Sequence, residues 1–371
     1  MSLRDYLDVR DTQFSYFVHK YSGTTRFQTQ TLLVPTDPDT QFGGTSWSVV
    51  PHRGDLITRI ILAVQFEETN IRFVDGAGTY MIEYADLFFE RQLIERVYGE
   101  YIELTNDISV PLGKQSELSN VVGKNQQTFS PCSFYLTLPF SFVRRGLPLA
   151  AFAEDMKIEV RIKYRDSLLL AYQSNFAGNY VDPYIRRTPI KDSFYIDYVY
   201  LSDDEAKQMK NSTHEYLIEQ VQMYQSTIPS GSSNTSLNLS FTNPVKDMFF
   251  LIQDPGVTAP YIYSSNLINL NLVLNGQDIV NQSALYLGKI QPMDYYTRTP
   301  TRTFYAYSFC IDPENNDPTG HVNFGRVYRQ TLNLTTVPVS WDSIVRVYAR
   351  SYNIFRIVDG KGTMLFNNVT I

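Results

Sequence analysis

Apolar and polar side chains alternate along many short segments of the chain. In the segment 156–164, MKIEVRIKY, every second residue is Met, Ile, Val or Tyr, and the residues between them are charged. The segment 345–350, VRVYAR, alternates in the same way, with arginine and tyrosine on its more polar side. A period of two places successive side chains on opposite faces of a β-strand. The run 56–66, LITRIILAVQF, predicts a strand buried on both faces. We therefore predict a mostly β protein, and the 27 Tyr and 23 Phe support this class because aromatic residues favour strands.

The segment 304–327, FYAYSFCIDPENNDPTGHVNFGRV, predicts a strand, an acidic turn and a second strand in succession. We expect the face formed by Ala306, Ser308 and Cys310 to be covered tightly, by the partner sheet or by a neighbouring subunit, because small side chains allow close contact. The opposite, core-filling face comprises Tyr305, Tyr307, Phe309 and Ile311. Proline, asparagine and glycine then turn the chain. The structural motif of the segment consists of Tyr307, Phe309, Pro313, Glu314, Pro318, Gly320, Asn323 and Phe324.

Two similar octapeptides lie half a chain length apart. LFFERQLI at 87–94 aligns with LVLNGQDI at 272–279, so that Leu87 matches Leu272 and Ile94 matches Ile279. A duplicated all-β domain would produce this separation, and the chain is long enough for two ordinary domains. We therefore predict two similar domains in tandem.

Two glycine-containing segments resemble a nucleotide-binding loop at first sight. They are VDGAGT at 74–79 and VDGKGT at 358–363. Both lack the third glycine of a dinucleotide fingerprint. We interpret them as tight turns in which glycine adopts a positive φ.

A short helix is predicted at the junction of the two halves. Ser202 is followed three residues later by Glu205, which is the spacing of a capping box. Asp203, Asp204 and Glu205 could in principle bind a metal ion. Acidic residues at a helix start are ordinarily solvated and favoured by the helix dipole, so no metal site is predicted.

Charge and composition exclude several classes of partner. The net charge of −6 and the absence of a basic stripe give no reason to expect nucleic-acid binding, and the adjacent arginine pairs 144–145 and 186–187 are isolated. Neither a secretory signal nor an apolar run long enough for a membrane helix is present, which predicts synthesis in a cytosol. Cys132 and Cys310 are interpreted as reduced packing residues. The glycosylation sequons are interpreted as chance matches; they begin at Asn211, Asn234, Asn238, Asn281, Asn333 and Asn368.

No recognisable catalytic motif occurs in the sequence. The four histidines show no metal-ligand spacing, and no G-x-S-x-G nucleophile motif is found. We expect His214 and His321 to be hydrogen-bonded structural residues. The sequence therefore predicts a protein that is not an enzyme and has no catalytic residue, cofactor or metal.

Several motifs, in a consistent order, resemble the major capsid proteins of nucleocytoplasmic large DNA viruses. They are RGDLITRI from Arg53, YGEYIEL from Tyr98, LPFSF from Leu138, YVYLSDDEAKQMKNSTHEYLIEQVQ from Tyr198, NPVKDMFF from Asn243, NGQDI from Asn275, the segment from Pro300 to Val327, and RVYARSYNIFRI from Arg346. The resemblance covers most of the chain. The sequence departs from the family where Glu90 and Arg91 replace a Gly-Gly turn and where Gly325 replaces a serine.

The resemblance implies an all-β fold of two tandem eight-stranded antiparallel jelly rolls with short connecting helices. The implied division is an N-terminal arm over 1–21, a first jelly roll over 22–197 and a second over 198–371. The implied function is that of the main subunit of an icosahedral virion capsid, assembled in the host cytoplasm as a homotrimeric, pseudo-hexameric capsomer. The implied partners are neighbouring capsomers and minor capsid proteins, together with an internal membrane reached through other proteins.

Two alternatives remain open. A scaffold or minor capsid protein of the same fold would carry the same motifs. A carbohydrate-binding jelly roll would use aromatic platforms, for which Trp47, Trp341 and the many tyrosines are available.

Overall fold

The computed structural model of the protein describes residues 26–37, 40–66, 74–123, 132–166, 173–175, 178–180, 189–255 and 261–366. The predicted arm over 1–21, with its aromatic residues, lies outside the described residues, as do His19, the arginine pair 186–187 and the sequon at Asn368.

Twelve strands form the first half of the molecule. Their bounds are β1 (Gln28–Pro35), β2 (Thr40–Gln41), β3 (Thr45–Val49), β4 (Leu56–Phe66), β5 (Ile82–Phe89), β6 (Gln92–Tyr98), β7 (Cys132–Thr137), β8 (Leu147–Pro148), β9 (Ile158–Tyr164), β10 (Gln173–Asn175), β11 (Gly178–Tyr180) and β12 (Pro189–Tyr200). One antiparallel sheet has the order β1-β12-β4-β7, with β2 on β12 and β8 on β4, and we call it sheet 1a. A second, sheet 1b, has the order β3-β9-β5-β6, and β10 and β11 pair with each other in a separate two-stranded sheet. Together sheets 1a and 1b form the first sandwich.

Ten strands form the second half. Their bounds are β13 (His214–Ile228), β14 (Asn234–Asn238), β15 (Pro244–Gln253), β16 (Leu267–Leu274), β17 (Gln277–Ser283), β18 (Tyr305–Ser308), β19 (Val322–Asn323), β20 (Gln330–Thr336), β21 (Ser343–Val358) and β22 (Lys361–Met364). Sheet 2a has the order β13-β21-β15-β18, with β19 on β15 and β22 on β21. Sheet 2b has the order β14-β20-β16-β17. The four-strand orders of sheets 2a and 2b repeat those of sheets 1a and 1b, whereas β22 pairs with the C-terminal end of β21 and β2 with the N-terminal end of β12.

Helices connect the strands. Their bounds are α1 (Ala77–Tyr80), α2 (Gly99–Ser109), α3 (Leu112–Val122), α4 (Ser141–Arg144), α5 (Asp203–Lys210) and α6 (Gln291–Tyr295), with a π-helix at Tyr286–Ile290 and 3₁₀ turns at Leu149–Ala151 and Phe324–Arg326. The predicted junction helix is α5, where the Ser202 hydroxyl donates to the Glu205 carboxylate at 2.9 Å. The prediction of a mostly β protein is confirmed. The consecutive helices α2 and α3, of eleven residues each, were not predicted.

The two similar octapeptides occupy corresponding hairpins. The first turn residue is Glu90 in the β5–β6 hairpin, with φ 54°, and Asn275 in the β16–β17 hairpin, with φ 51°. In both hairpins the register shifts at the same place, which leaves Ile94 and Ile279 as the extra residues of equivalent bulges. The repeated octapeptides therefore share the turn, the register and the bulge.

The two glycine-containing segments are turns, as predicted. Gly76 has φ 70° and precedes α1, while Asp359 and Gly360 have φ 50° and 75° in the hairpin between β21 and β22. A side chain at Gly360 would bring a Cβ atom to 2.8 Å from the amide nitrogen of Ala153 in the first sandwich. The turn therefore requires glycine for two reasons, its conformation and its close approach to the other sandwich.

Sheet 2a is buried on both faces. Its inner face, which includes Val347 and Phe250, belongs to the core of the second sandwich. Its outer face, which includes Phe249, Ala306 and Tyr348, belongs to a core continuous with that of the first sandwich. The more polar side of β21 is therefore mostly covered, with Tyr348 and Arg350 buried and Arg346 partly buried.

The segment 304–327 forms the predicted strand, turn and second strand, as β18, the turn after Asp312 and the short β19. Ala306, Ser308 and Cys310 are buried, in agreement with a tightly covered face, and Ala306 contributes to the core shared with the first sandwich. The expectation that Ile311 lies on the buried face is wrong, because its side chain is 82% exposed. Strand β18 ends at Ser308, whose hydroxyl donates to the carbonyl of Cys310 and accepts from its amide, so the alternation stops there.

We expect Ala306→Leu to lower the free energy of unfolding by about 1–3 kcal/mol, because the added atoms overpack a filled contact. Urea denaturation of the purified variant measures the change. Ile311→Leu is the matched control at an exposed position and should stay within about 0.5 kcal/mol of the unsubstituted protein. An Ala306→Leu protein as stable as the control would contradict the close packing described here.

Candidate functional site: the contact between the two sandwiches

The acidic face of α2 points into the protein. Glu100, Glu103 and Asp107 follow one another at helical spacing, share one side of the helix and are all buried. Acidic residues at this spacing usually mark the solvated face of a helix. Here they lie against the second sandwich, so each carboxylate needs partners to offset its loss of water.

Glu100 is held by sheet 2a and the segment beside it. The Arg346 guanidinium donates to both of its carboxylate oxygens, at 2.6 and 2.7 Å. The hydroxyls of Tyr348 and Tyr263 donate to the same carboxylate at 2.6 and 3.0 Å. Burial by itself would raise the pKa of Glu100, but the charge and hydrogen bonds of Arg346, aided by Tyr348, outweigh it and lower the pKa. Glu100 therefore stays ionised within the contact.

The next two acids of α2 bind the segment that precedes β18. Glu103 accepts from the Nε of Arg302 at 3.0 Å. Asp107 accepts from the amide and hydroxyl of Thr301, at 2.8 and 2.7 Å, and from the amide of Arg302 at 3.1 Å. Arg298 adds a contact at 3.3 Å. The helix thus fixes a loop of the second sandwich through its backbone as well as its side chains.

A second buried ionic group lies on the outer face of sheet 2a. Asp247 accepts from the Arg350 guanidinium and from the Tyr296 hydroxyl, while Lys246 Nζ lies 2.5 Å from a carboxylate oxygen of Glu219. Burial lowers the pKa of Lys246, and the neighbouring Arg350 lowers it further. Burial would raise the pKa of Glu219, but Arg350 and Lys246 outweigh it and lower the pKa. Both signs of charge are therefore retained in the interior.

This group also fixes the predicted acidic turn. Arg350 donates to the carbonyl of Pro313 at 2.9 Å, and Lys246 Nζ lies 3.4 Å from the carbonyl of Asn315. Within the turn, the carboxylate of Asp312 accepts from the amides of Glu314 and Asn315. The buried side chains of Arg350 and Lys246 therefore hold the turn in place through its backbone carbonyls.

The eight predicted motif residues make different kinds of contact in the structure. Tyr307 and Phe309 pack together with ring centroids 5.1 Å apart, and Phe324 packs against Phe309 at 6.0 Å. Glu314 is exposed and accepts from the Thr297 hydroxyl at 2.6 Å, and Pro318 is exposed. Gly320 has φ 146° and lies against the backbone of Cys310, and Asn323 accepts from the amide of Gly325 at 3.0 Å. Of the eight, Pro313 contacts the ionic group directly.

Glu95 on β6 joins α4 to the contact. Its carboxylate oxygens accept from the amides of Ser141 and Phe142, both at 2.7 Å. The Ser141 hydroxyl in turn accepts from the amide of Glu219 in the second sandwich at 2.7 Å. Burial raises the pKa of Glu95 to about 8, against the lowering effect of the two amides. Near neutral pH this carboxyl group therefore tends to carry a proton.

Aromatic rings from both sandwiches form a second part of the contact. Phe355 of β21 lies 5.0 Å from both Phe89 and Phe142 of the first sandwich, measured between ring centroids. Tyr216 packs on Phe142 at 5.3 Å. The contact between the sandwiches thus combines a layer of charges with a layer of aromatic residues, and it has the burial of a protein core.

Sequence reasoning missed the partners in this contact. Glu100 and Glu103 were quoted only as part of a family motif and Asp107 was not singled out, although their spacing signals a helix. Arg346 and Arg350 were assigned to a more polar strand face, and no sequence feature states that this face is covered.

The described residues contain no group of His, Cys, Asp and Glu that could hold a metal ion. Among the helices described above, none is long and apolar enough to cross a membrane. The contact fixes the orientation of the two sandwiches relative to each other.

Two family profiles match consecutive parts of the chain, over 15–202 and 205–363. The profile described as "Major capsid protein N-terminus" matches residues 15–202, and the one described as "Large eukaryotic DNA virus major capsid protein" matches residues 205–363. The chain belongs to the major capsid proteins of large eukaryotic DNA viruses. This capsid protein is 25% identical to the major capsid protein of Pyramimonas orientalis virus over 96% of its own chain and 94% of the relative. It is 24% identical to that of Paramecium bursaria Chlorella virus 1, with coverage of 96% and 95%.

Solved capsid structures share the fold of this capsid protein. PBCV-1 VP54 matches with a TM-score of 0.83 and 21% identity, over 95% of this chain and 100% of that chain. The Faustovirus major capsid protein matches with a TM-score of 0.79 and 10% identity, over 96% and 94%. The predicted double jelly roll is therefore confirmed, and each sandwich is one jelly roll. The capsid protein has a structural role, as its relatives do, which agrees with the prediction that it is not an enzyme.

We expect Arg346→Met to lower the free energy of unfolding of the capsid protein by about 3–5 kcal/mol, because it leaves the Glu100 carboxylate buried without its countercharge. Urea denaturation monitored by tryptophan fluorescence measures the change. Arg356→Met is the matched control, since Arg356 pairs with Glu215 where both side chains are largely solvated, and it should cost at most about 1 kcal/mol. Equal effects of the two substitutions would contradict the role given to Glu100.

Glu95 predicts a pH dependence of stability. Its pKa is about 8 in the folded protein and 4.5 for an ordinary glutamate, so the folded state binds a proton that the unfolded state releases between these values. This contribution to stability is complete below pH 4.5 and is lost as pH rises towards 8. Glu95→Gln removes the titration, and we expect a smaller fall in the urea midpoint between pH 5 and pH 8.5 than in the unsubstituted protein. Parallel pH profiles for the two proteins would count against the raised pKa.

Proposed function

We propose that this protein is the main subunit of an icosahedral capsid and that it assembles as a homotrimer with a pseudo-hexagonal outline. The observation that carries the proposal is an asymmetry between two equivalent surfaces. The outer face of sheet 2a is covered within the chain by the first sandwich. The outer face of sheet 1a is its counterpart, and among the described residues it carries exposed apolar side chains, including Leu33, which is 58% exposed against 37% for Met223 at the corresponding position of sheet 2a.

A second copy of the chain can complete this arrangement. A contact that joins the second sandwich of one copy to sheet 1a of the next is heterologous, and such contacts either close into a ring or continue as a filament. A ring of three copies places six similar sandwiches around one axis. Contacts within a chain then alternate with contacts between chains, and the six sandwiches give a hexagonal outline suited to tiling a flat face.

In this proposal the two jelly-roll domains are those predicted as 22–197 and 198–371, with their boundary placed after β12 ends at Tyr200 and before α5 begins at Asp203, and the arm over 1–21 helps to hold neighbours. The partners are neighbouring capsomers and minor capsid proteins, and an internal membrane is reached only through other proteins. Direct binding of nucleic acid is not expected at a net charge of −6. Assembly takes place in the host cytoplasm.

The solution mass of the purified protein tests the trimer. One chain has a mass of 42.7 kDa, and light scattering after size exclusion should show a species of three times this mass. Negative-stain images of the same peak should show a hexagonal outline. A protein that remains at 42.7 kDa at every concentration, and that is also monomeric when released gently from particles, would contradict the proposed capsomer.

Abundance distinguishes the main subunit from a scaffold or minor protein of the same fold. The main subunit must dominate the protein mass of purified particles, because it tiles the shell. A trace amount in particles would overturn that part of the proposal and leave the fold unaffected.

A further inference from the structure

Sheets 1a and 2a correspond residue by residue. In both sheets the register between the central strands shifts at one bulge, beside the pair Arg59–Asp197 in sheet 1a and beside the pair Asp247–Arg350 in sheet 2a. The two pairs occupy the same cross-strand positions with their charges exchanged. Counting from this pair places Tyr195 of sheet 1a where Tyr348 stands in sheet 2a. By the same count, Ser193 of sheet 1a corresponds to Arg346 of sheet 2a.

The outer face of sheet 1a presents an apolar centre. Leu33, Tyr195 and Ile61 lie in one cross-strand row, and Tyr135 of the neighbouring row packs on Tyr195 with ring centroids 6.3 Å apart. None of these four is fully buried. In the corresponding row of sheet 2a, Tyr348 and Phe249 are buried and pack against Tyr101 of α2, and Met223 at the edge is 37% exposed. Arg59 and Asp197 stand at the edge of this centre as a partly exposed pair.

The second sandwich has its own counterpart of α2. Helix α2 begins directly after β6, and a helical segment begins directly after β17 and continues through the π-helix into α6. The alignment of the two octapeptides, extended past Ile94 and Ile279, places Leu285 at the position of Glu100. Leu285 is 70% exposed and Met293, further along the segment, is 60% exposed. Ile279, the counterpart of the fully buried Ile94, is also exposed.

We infer that the segment from Ile279 to Met293 of one copy covers the outer face of sheet 1a of a neighbouring copy, with Leu285 against the region of Ser193 and Tyr195. The inference rests on the proposed trimer and assigns its contact surfaces. The occupant is a second copy of this chain, because the surface repeats the contact that the first sandwich makes with sheet 2a.

The two kinds of contact differ in chemistry. Within the chain the contact buries Glu100 against Arg346, whereas between chains the same two positions hold Leu285 and Ser193. A buried carboxylate has no countercharge at Ser193, so α2 is excluded from sheet 1a of a neighbour. An apolar segment on sheet 2a would likewise leave Arg346 unpaired. The exchange of charged for apolar residues therefore enforces alternation of first and second sandwiches around the ring.

The substitution Leu285→Glu tests the assignment. We expect the mass measured by light scattering to fall from three chain masses to the single-chain mass of 42.7 kDa, at concentrations where the unsubstituted protein is a trimer. Adding Ser193→Arg to the same chain transplants the Glu100–Arg346 pair and should restore the larger species. Leu112→Glu is the matched control, since Leu112 is 80% exposed on α3, outside the assigned surface, and should leave the trimer intact.

A cross-linking experiment covers the case in which the glutamate variant does not fold. A chain with Leu285→Cys and Ser193→Cys, treated with a short bis-maleimide, should give cross-linked trimers on a denaturing gel. The unsubstituted chain, which keeps Cys132 and Cys310, controls for background. A folded Leu285→Glu protein that remains trimeric, or a doubly substituted chain that gives no cross-linked species, would overturn the assigned surface and leave the trimer standing. An unsubstituted protein that never forms the trimer would instead overturn the proposed capsomer.

Discussion

The burial of ionised acids between two β-sandwiches is the constraint on which the molecule depends. Glu100 sits in the interior because Arg346 and two tyrosine hydroxyls replace its water. Such a pair adds little net stability compared with well-packed apolar residues, yet separating its partners is costly. The charges therefore specify one orientation of the sandwiches relative to each other, while the aromatic rings around Phe355 contribute buried apolar surface to the contact. A shell subunit needs this rigidity, since an error in the angle between its halves would recur in every copy.

Duplication and divergence are both visible in the matching sheets. The hairpin turns, the bulges and the strand orders are the same in the two jelly rolls, because they are set by backbone pairing and turn geometry. The outer faces have diverged, from Arg59–Asp197 in one to Asp247–Arg350 in the other. Each sandwich keeps the architecture and differs in the chemistry of its outer face.

The sequence was sufficient for the fold class, the hairpin repeat, the junction helix and the family, since these follow from local periodicity, turn residues and motif order. It was insufficient for the contact between the sandwiches. Alternation in the segment 345–350 distinguishes two strand faces but cannot say that the polar one is covered, because the cover is α2, far away in the chain. The failure at Ile311 has a local cause, since the hydroxyl of Ser308 ends the strand before the alternation does.

The separation of Glu100 and Arg346 along the chain has a consequence for biosynthesis. The two residues are 246 positions apart. At roughly 5–20 residues per second, a ribosome needs on the order of 10 to 50 s to deliver the arginine after the glutamate. The strands of the first jelly roll are complete only when Tyr200 has been made, and from then until Arg346 follows, the acidic helix has no countercharge and Phe89 and Phe142 have no cover from Phe355. We therefore expect the nascent first half to remain partly open until the last long strand emerges and closes it.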